Sequence, residues 1–208
     1  MVLTHMSYEQ IAGVLRREIL REMPRIREML EATFRRQERV QKKRHVLKLI
    51  SRSQLEITLY ICNAYKRHFI LGAWYRDAKG YCYAHMDNGW ITLYQTHLFE
   101  RFSERYLRQK NQDVRCIGRQ FFFGRPGTEC EHVDNNTLLT QIPILKQTPG
   151  GLVFGIKNLR KELTVMQTYI DFASMSRKRM NVWRECEVRE LLLHHFRRLF
   201  PEGLSGLY

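Results

Sequence analysis

The feature that most constrains the fold is a change of amino-acid composition in the middle of the chain. Residues 68–94 are rich in aromatic and β-branched side chains, which favour strands. Two short segments interrupt them, 77–80 and 87–89, and these carry the Asp, Asn and Gly that tight turns require. The pattern therefore predicts three antiparallel strands near residues 68–75, 81–86 and 90–94.

Two more strand candidates follow later in the chain. Residues 151–159 and 162–170 are typical of strands joined by a hairpin turn near 158–161. The preceding stretch, 124–150, is rich in Gly, Pro and Asn and is predicted as loop. With helical patterns at both ends, this layout predicts an α+β fold with a central antiparallel β-sheet, a packed helix, a helical N-terminal extension and a long C-terminal helix.

The helical ends divide the chain into three parts. Ser7 and Gln10 have the spacing of a capping box, and Pro24 fits the first position of a second helix. The segment 52–65 is ambiguous between helix and buried strand, and we favour helix. A last helix is expected from about residue 174 to 199. The predicted parts are a basic helical N-terminal region, an α+β sheet domain and a C-terminal helix that packs on the same domain, with boundaries at 1–66, 67–172 and 173–208.

Charge indicates what kind of partner the chain meets. Its 208 residues include 35 Lys and Arg against 21 Asp and Glu, a net charge of +14. Such an excess favours a polyanion, RNA or another nucleic acid, because Lys and Arg displace counterions from phosphates. An anionic membrane surface is negatively charged like a nucleic acid, but the chain has no run of 18 apolar residues that could span a bilayer. We therefore expect no membrane partner. An acidic inhibitor protein is a further expected partner.

The basic residues concentrate in the helix that ends near Arg44, in the Arg101/Arg105 stripe and in the last helix, and we predict residues of the first and last segments as nucleic-acid-binding. A solvated helix face is the alternative interpretation of such runs. The predicted residues are Arg35, Arg36, Arg39, Lys42, Lys43, Arg44, Arg177 and Arg179.

Cysteine usage indicates the compartment and argues against a metal. The five cysteines are odd in number and never form a CxxC pair, and the first residues lack a signal-peptide layout, so we expect reduced thiols in the cytoplasm. The pairs Cys82 with His85 and Cys130 with His132 lack zinc-finger spacing. Phosphate-loop, serine-hydrolase and zinc-protease motifs are also missing from the sequence, and we expect no metal or cofactor.

The segment T-H-L-F-E-R-F-S-E-R-Y carries the residues best suited to chemistry. His97, Arg101 and Arg105 are four residues apart and form one stripe on a helix. An imidazole can exchange a proton near neutral pH, and guanidinium groups neutralise phosphate oxygens. The alternative is an ordinary salt-bridged helix, because Glu104 has the spacing to pair with Arg101 and Arg108.

This segment, together with the strand that ends in M-Q-T-Y-I, resembles the small RNase toxins of the barnase/EndoU/colicin/RelE-like superfamily. The resemblance covers roughly residues 90–172 and rests on the T-H-x-x-x-R-x-x-E-R helix and a Thr on the closing strand. It implies that His97 is a general acid or base, that Arg101 and Arg105 bind phosphate, and that Thr168, with Tyr169 beside it, supplies a hydrogen bond.

The resemblance implies a metal-independent endoribonuclease of toxin type, in which the ribose 2′-OH attacks the adjacent phosphate. A second proton-transfer group is then needed, and Tyr169, His132 and His85 are candidates. Strand alternation lets only one of Thr168 and Tyr169 face the helix, and we favour Thr168. The alternative function is a non-catalytic nucleic-acid-binding or adaptor protein that uses its basic helices. The direction of His97 distinguishes the two: a groove shared with Thr168 favours the nuclease, and a solvent-exposed His97 favours binding.

Overall fold

The described residues form one mixed sheet of nine strands with helices on both faces. The computed structural model describes residues 3–40, 44–63, 66–110, 112–124, 129–131, 141–148, 150–178, 180–181, 183–185 and 188; the side chains of 37–40 and 129–131 are left aside. In order across the sheet, with numbers in chain order, the strands are β1 (His45–Ile50), β2 (Glu56–Asn63), β3 (His68–Asp77), β4 (Gly80–Asp87), β5 (Trp90–Tyr94), β9 (Leu163–Asp171), β8 (Gly151–Asn158), β7 (Gln141–Thr148) and β6 (Glu129–Glu131). The predicted α+β class is confirmed. A wholly antiparallel sheet is wrong at one pair, because β5 and β9 run parallel; the long connection that parallel strands need contains helices and the strands β6, β7 and β8.

Five strands lie where the turn signals place them. All five were predicted within one or two residues of their ends, because each is bounded by a tight turn or by a change from sheet to helix. They are β3 (His68–Asp77), β4 (Gly80–Asp87), β5 (Trp90–Tyr94), β8 (Gly151–Asn158) and β9 (Leu163–Asp171).

Four further strands correct the predicted loops and helices. The strands β1 (His45–Ile50) and β2 (Glu56–Asn63) lie in the region predicted to be helical, and β6 (Glu129–Glu131) and β7 (Gln141–Thr148) lie in the predicted loop. Most of β2 is buried on both faces, so its sequence is a nearly continuous apolar run. Such a run has no period that separates strand from helix, and the helix favoured over 52–65 is therefore wrong.

The N-terminal helix is one element rather than two. Helix α1 (Tyr8–Val40) continues through Pro24, so the predicted break there is wrong. The apolar residues Ile19, Ile26 and Leu30 are buried on both sides of the proline, and this packing holds the helix together across the missing hydrogen bond. The predicted capping box is confirmed: Gln10 accepts from the Ser7 amide at 2.9 Å, and Ser7 Oγ accepts from the Gln10 amide at 3.3 Å.

Two faces of the sheet carry different cores. The face covered by α1, here called the α1 face, is mainly aliphatic and includes Leu15, Ile19, Leu59 and Leu93. The opposite face is covered by α2 (Thr96–Phe102) and α3 (Val114–Phe123) and is called the α2 face. Its core is mainly aromatic. The aromatic members are Tyr60, Trp74, Tyr83, Tyr94, Phe99, Phe102, Phe121, Phe122, Phe123 and Tyr169.

The C-terminal helix is described only near its start. Residues 177–178, 180–181, 183–185 and 188 are helical, and the rest of the predicted 174–199 helix lies outside the described residues. Trp183 is buried beside Leu145 of β7 and Leu152 of β8. This contact places the start of the helix on the sheet domain.

Two smaller expectations also meet the structure. Cys62, Cys82 and Cys116 are free thiols, while the side chains of Cys130 and Cys186 lie outside the described set. Over the described part of the chain, every helix is too short or too polar to cross a bilayer.

Candidate nucleic-acid interface

The predicted catalytic helix carries its charges on its outer side. The His97 side chain is half exposed, and its Nδ1 lies 3.7 Å from Glu100 Oε2. Arg101 Nε donates to His97 Nε2 at 3.4 Å, and Arg101 Nη1 lies 3.6 Å from Glu104 Oε2. Each basic group on this surface therefore has an acidic neighbour three residues away. We call His97, Glu100, Arg101 and Glu104 the α2 surface.

Arg105 is separated from that surface by a change of helix type. Residues Ser103–Leu107 form a π-helical turn, in which the Ser103 carbonyl accepts from the Arg108 amide, five residues on. The wider turn rotates the following residues relative to an α-helix. Arg105 lies close enough to Asp171 to help lower the pKa of that carboxyl, after the larger effect of its hydrogen bonds from Ser174. The predicted three-residue stripe is therefore interrupted after Arg101.

Thr168 and Tyr169 have the opposite orientations to those predicted. Tyr169 is fully buried on the α2 face, with its ring edge-on to Phe102 at 5.3 Å. Thr168 pairs with Phe154 of β8, whose side chain packs with Leu145, Leu152 and Trp183 on the other side of the sheet. The aromatic α2 core takes the larger side chain. The preference for Thr168 is wrong, because the sheet separates Thr168 from His97.

The other proposed proton-transfer groups do not complete a catalytic site. Burial raises the pKa of the Tyr169 hydroxyl far above its usual range. Burial, with help from the charge of Lys146, lowers the pKa of His85 to about 4, so this imidazole is neutral at pH 7. His132 lies outside the described residues.

A shallow pocket beside His97 has mixed charge. It has a volume of about 360 Å³ and is lined by Asp77, Lys79, Gln95, Thr96, His97 and Glu100. The Asp77 carboxylate is already hydrogen-bonded within the β3–β4 turn, where it accepts from the amides of Lys79 at 2.7 Å and Gly80 at 3.0 Å. The carboxylates of Asp77 and Glu100 in the lining make this pocket unfavourable for a phosphate.

A second basic surface forms where β1 and α3 meet, and it was not predicted as a unit. Arg44 directly precedes β1 and Lys48 lies within it. Arg115 and Arg119 lie one turn apart on α3. The guanidinium carbons of Arg44 and Arg119 lie 5.9 and 5.8 Å from the centroid of the same Phe123 ring. We call these four cations the β1–α3 surface.

Charges on the β1–α3 surface are only partly compensated. Glu56 binds both Arg115, at 3.0 Å, and Lys48, at 3.3 Å. Among the described side chains, neither Arg44 nor Arg119 has a carboxylate within 4.0 Å. Four cations therefore share one acidic group. This excess of positive charge favours an anionic ligand on the surface.

A pocket of about 270 Å³ adjoins this surface. We call it the Tyr81 pocket. Tyr81 is 40% exposed, and the guanidinium carbons of Arg76 and Arg115 lie 5.7 and 5.0 Å from its ring centroid. The lining residues are Ile50, Gln54, Glu56, Trp74, Tyr75, Arg76, Tyr81 and Arg115.

The predicted nucleic-acid-binding residues are divided between surfaces. Arg35 and Arg36 are exposed near the end of α1, and Arg177 is exposed at the start of the last helix. Arg44 alone belongs to the β1–α3 surface. The side chains of Arg39, Lys42, Lys43 and Arg179 lie outside the described set. The spacing of Arg115 and Arg119 after the cap residue Asp113 is the missed signal, because no element was predicted between residues 111 and 123.

Neither metal-ligating side chains nor similarity to known proteins indicates a further function for the described residues. The described residues contain no cluster of three or more His, Cys, Asp or Glu side chains that could hold a metal ion. Comparisons with protein-family models, curated proteins and solved structures give no match. The toxin resemblance therefore rests on its two motifs alone.

Proposed function

We propose that the protein is a non-catalytic RNA-binding protein whose β1–α3 surface holds the phosphate backbone. The observation that carries this proposal is the position of Arg44 and Arg119 on one Phe123 ring, without a carboxylate partner among the described residues. Two guanidinium groups beside one ring concentrate positive charge at this part of the surface. Phosphate groups of an RNA backbone can accept hydrogen bonds from each of them.

The positions of the predicted catalytic residues favour binding over catalysis. His97 is half exposed and contacts Glu100 and Arg101, and Thr168 is on the far side of the sheet. The catalysis that the resemblance implies needs His97 as acid or base and Thr168 as a hydrogen-bonding group within reach of the same substrate. An arrangement with the sheet between His97 and Thr168 does not favour it.

A salt titration tests the proposal. With the four cations of the β1–α3 surface contacting phosphates, the logarithm of the binding constant for single-stranded RNA falls with the logarithm of salt concentration with a slope of about −3. The measurement is fluorescence anisotropy of a labelled RNA from low to moderate salt. We expect the double variant Arg44→Ala/Arg119→Ala to reduce the slope by about 1.4.

The matched control changes the same amount of charge elsewhere. Arg17 and Arg27 are exposed on α1, on the other face of the sheet. Arg17→Ala/Arg27→Ala keeps the wild-type slope if the β1–α3 surface is the contact. Equal slopes for both double variants would show that the net charge, and not this surface, determines binding.

An endoribonuclease of toxin type is the second candidate function, and one contact favours it. Arg101 Nε donates to His97 Nε2, which places a cation beside a group that can transfer a proton. The test incubates total RNA with the wild type, His97→Ala and Arg101→Ala in the presence of a chelator. Cleavage by the wild type that both variants lose would support the nuclease; intact RNA in all three leaves binding as the function.

A further inference from the structure

Tyr81 offers a flat aromatic surface next to the cations of the β1–α3 surface. Its ring is 40% exposed on β4, and Arg76, its cross-strand neighbour on β3, reaches it from one side. Arg115 reaches it from α3, at 5.0 Å from the ring centroid. Unpaired bases stack on both aromatic rings and guanidinium planes, so either surface can take a base.

Glu56 gives this pocket a polar wall that can accept hydrogen bonds. Its carboxylate is 14% exposed and is positioned by Arg115 through Oε2. The other oxygen, Oε1, lies 3.3 Å from Lys48 Nζ but has no partner with hydrogen-bond geometry. Because Oε1 has no accessible surface, a ligand that donates N–H reaches it by displacing the neighbouring Lys48 side chain, which is 59% exposed. The exocyclic amino group of cytosine is such a donor for a carboxylate.

The Tyr81 pocket is continuous with the cations that would hold the backbone. Arg115 and Lys48 both contact Glu56, and both belong to the β1–α3 surface. Arg119 lies one turn of α3 after Arg115, about 6 Å along the helix axis, and Arg115 contacts the Tyr81 ring. A backbone that contacts Arg119 can therefore place a base at Tyr81.

Taken with the proposed RNA binding on which it rests, the geometry points to a nucleobase-binding site: one unpaired base of a single-stranded RNA stacks on the exposed side of the Tyr81–Arg115 pair, and Glu56 accepts from the exocyclic amino group of that base. The site gives the protein a preference for single strands, because a paired base cannot leave its stack without a cost in free energy. It also gives cytosine an advantage over uracil, which has a carbonyl in place of the amino group.

The test compares three labelled probes by fluorescence anisotropy: twelve-nucleotide oligocytidylate, twelve-nucleotide oligouridylate and a twelve-base-pair RNA duplex. We expect the wild type to bind the oligocytidylate more tightly than the oligouridylate. Tyr81→Ala should weaken oligocytidylate binding about tenfold or more, from the loss of one stacked base, and leave duplex binding unchanged within about twofold.

Two further variants separate stacking from damage to the fold. Tyr81→Phe keeps the ring and should bind oligocytidylate within about threefold of the wild type. Tyr106→Ala removes a tyrosine of similar exposure, 43%, that stacks on Phe102 away from the pocket, and should bind like the wild type. Equal oligocytidylate affinities for Tyr81→Ala and Tyr106→Ala would overturn the nucleobase site and leave the proposed RNA binding intact.

Failure of the proposed function gives a different result. If the wild type binds none of the three RNAs, the proposed RNA binding is wrong, and cytidine 5′-monophosphate becomes the probe, followed by shifts in amide NMR signals. Shifts around Tyr81 in the wild type that are lost in Tyr81→Ala would support the base site as a site for a free nucleotide. No shifts with this probe would overturn the base site as well.

Discussion

The α2 surface and the β1–α3 surface lie over the same aromatic core but differ in how their charges are compensated. On the α2 surface, His97 and Arg101 each have a glutamate three residues on, at 3.7 and 3.6 Å. On the β1–α3 surface, Arg44 and Arg119 share a phenylalanine ring instead. A charged stripe within one helix readily neutralises itself, because its partners are local in sequence. A surface assembled from distant segments can keep the excess charge that a polyanion needs.

Charge reversal gives the largest expected difference between the two surfaces. Arg44→Glu/Arg119→Glu should weaken single-stranded RNA binding by about a hundredfold or more at low salt, because two attractive contacts become repulsive ones. Arg101→Glu/Arg105→Glu makes the same change in net charge on α2 and its π-helical extension. It should weaken binding by less than about tenfold, through the long-range field alone. Dissociation constants from anisotropy at one fixed salt concentration provide the measurement.

The reverse ranking would contradict the assignment of the RNA-binding surface. A larger loss for the Arg101/Arg105 variant would place the RNA on the helix that the toxin resemblance selected. Circular dichroism of each variant serves as the check that the sheet and helices are retained.

Local signals explain what could be predicted from the sequence. The turns at 77–80 and 87–89 delimit three strands, and in the second of them Asn88 and Gly89 have the positive φ angles, 46° and 86°, that such turns require. The capping box at Ser7 is equally local. In each case the structure is determined by residues that are neighbours in the sequence.

Long-range packing explains what could not be predicted. Strand β7 contains Pro143, which argues against a strand in isolation. Among the described residues, β6 pairs with Ile144, Leu145 and Lys146, and Pro143 lies beyond this pairing, where a missing N–H is tolerated. Arg44 and Arg119 are 75 residues apart, and only the packing of α3 beside β1 brings them to one ring. No local pattern contains that contact.

The packing of α3 on the sheet positions half of the β1–α3 surface, and it gives a second prediction. A Cβ atom at Gly118 would lie 2.6 Å from the ring of the buried Trp74. Gly118→Ala should therefore lower the free energy of unfolding by about 1–3 kcal/mol, although alanine is the better helix former. Urea unfolding followed by tryptophan fluorescence measures this change.

Gly13 supplies the matched control on the opposite face. It lies within α1, and a Cβ atom there would meet nothing within 4 Å. Gly13→Ala should raise the free energy of unfolding by about 0.5–1 kcal/mol. If Gly118→Ala is also stabilising, Trp74 does not fix the position of α3.

The free energy of unfolding should depend on pH through His85. Burial and the Lys146 charge lower its pKa to about 4 in the folded protein, while the unfolded chain titrates near 6.5. The unfolded state then binds more protons between these values, so stability is lost as pH falls from about 6.5 towards 4. We expect the free energy of unfolding to be about 1–2 kcal/mol lower at pH 5 than at pH 7. His85→Gln should remove most of that difference, and an unchanged pH dependence would exclude His85 as its source.

The smallest expected effects come from the ion pairs that distinguish the two surfaces. Arg101 and Glu104 are 3.6 Å apart and largely exposed, so a double-mutant cycle with alanine should give a coupling of about 0.3 kcal/mol. Arg115 and Glu56 are 3.0 Å apart, and Glu56 is only 14% exposed, against 53% for Glu104. Because water screens this pair less, its coupling should be nearer 1 kcal/mol. Four urea-unfolding curves per cycle measure each coupling. Equal coupling energies would show that Glu56 is solvated like Glu104. Its carboxylate would then not favour a base over water as its hydrogen-bond donor.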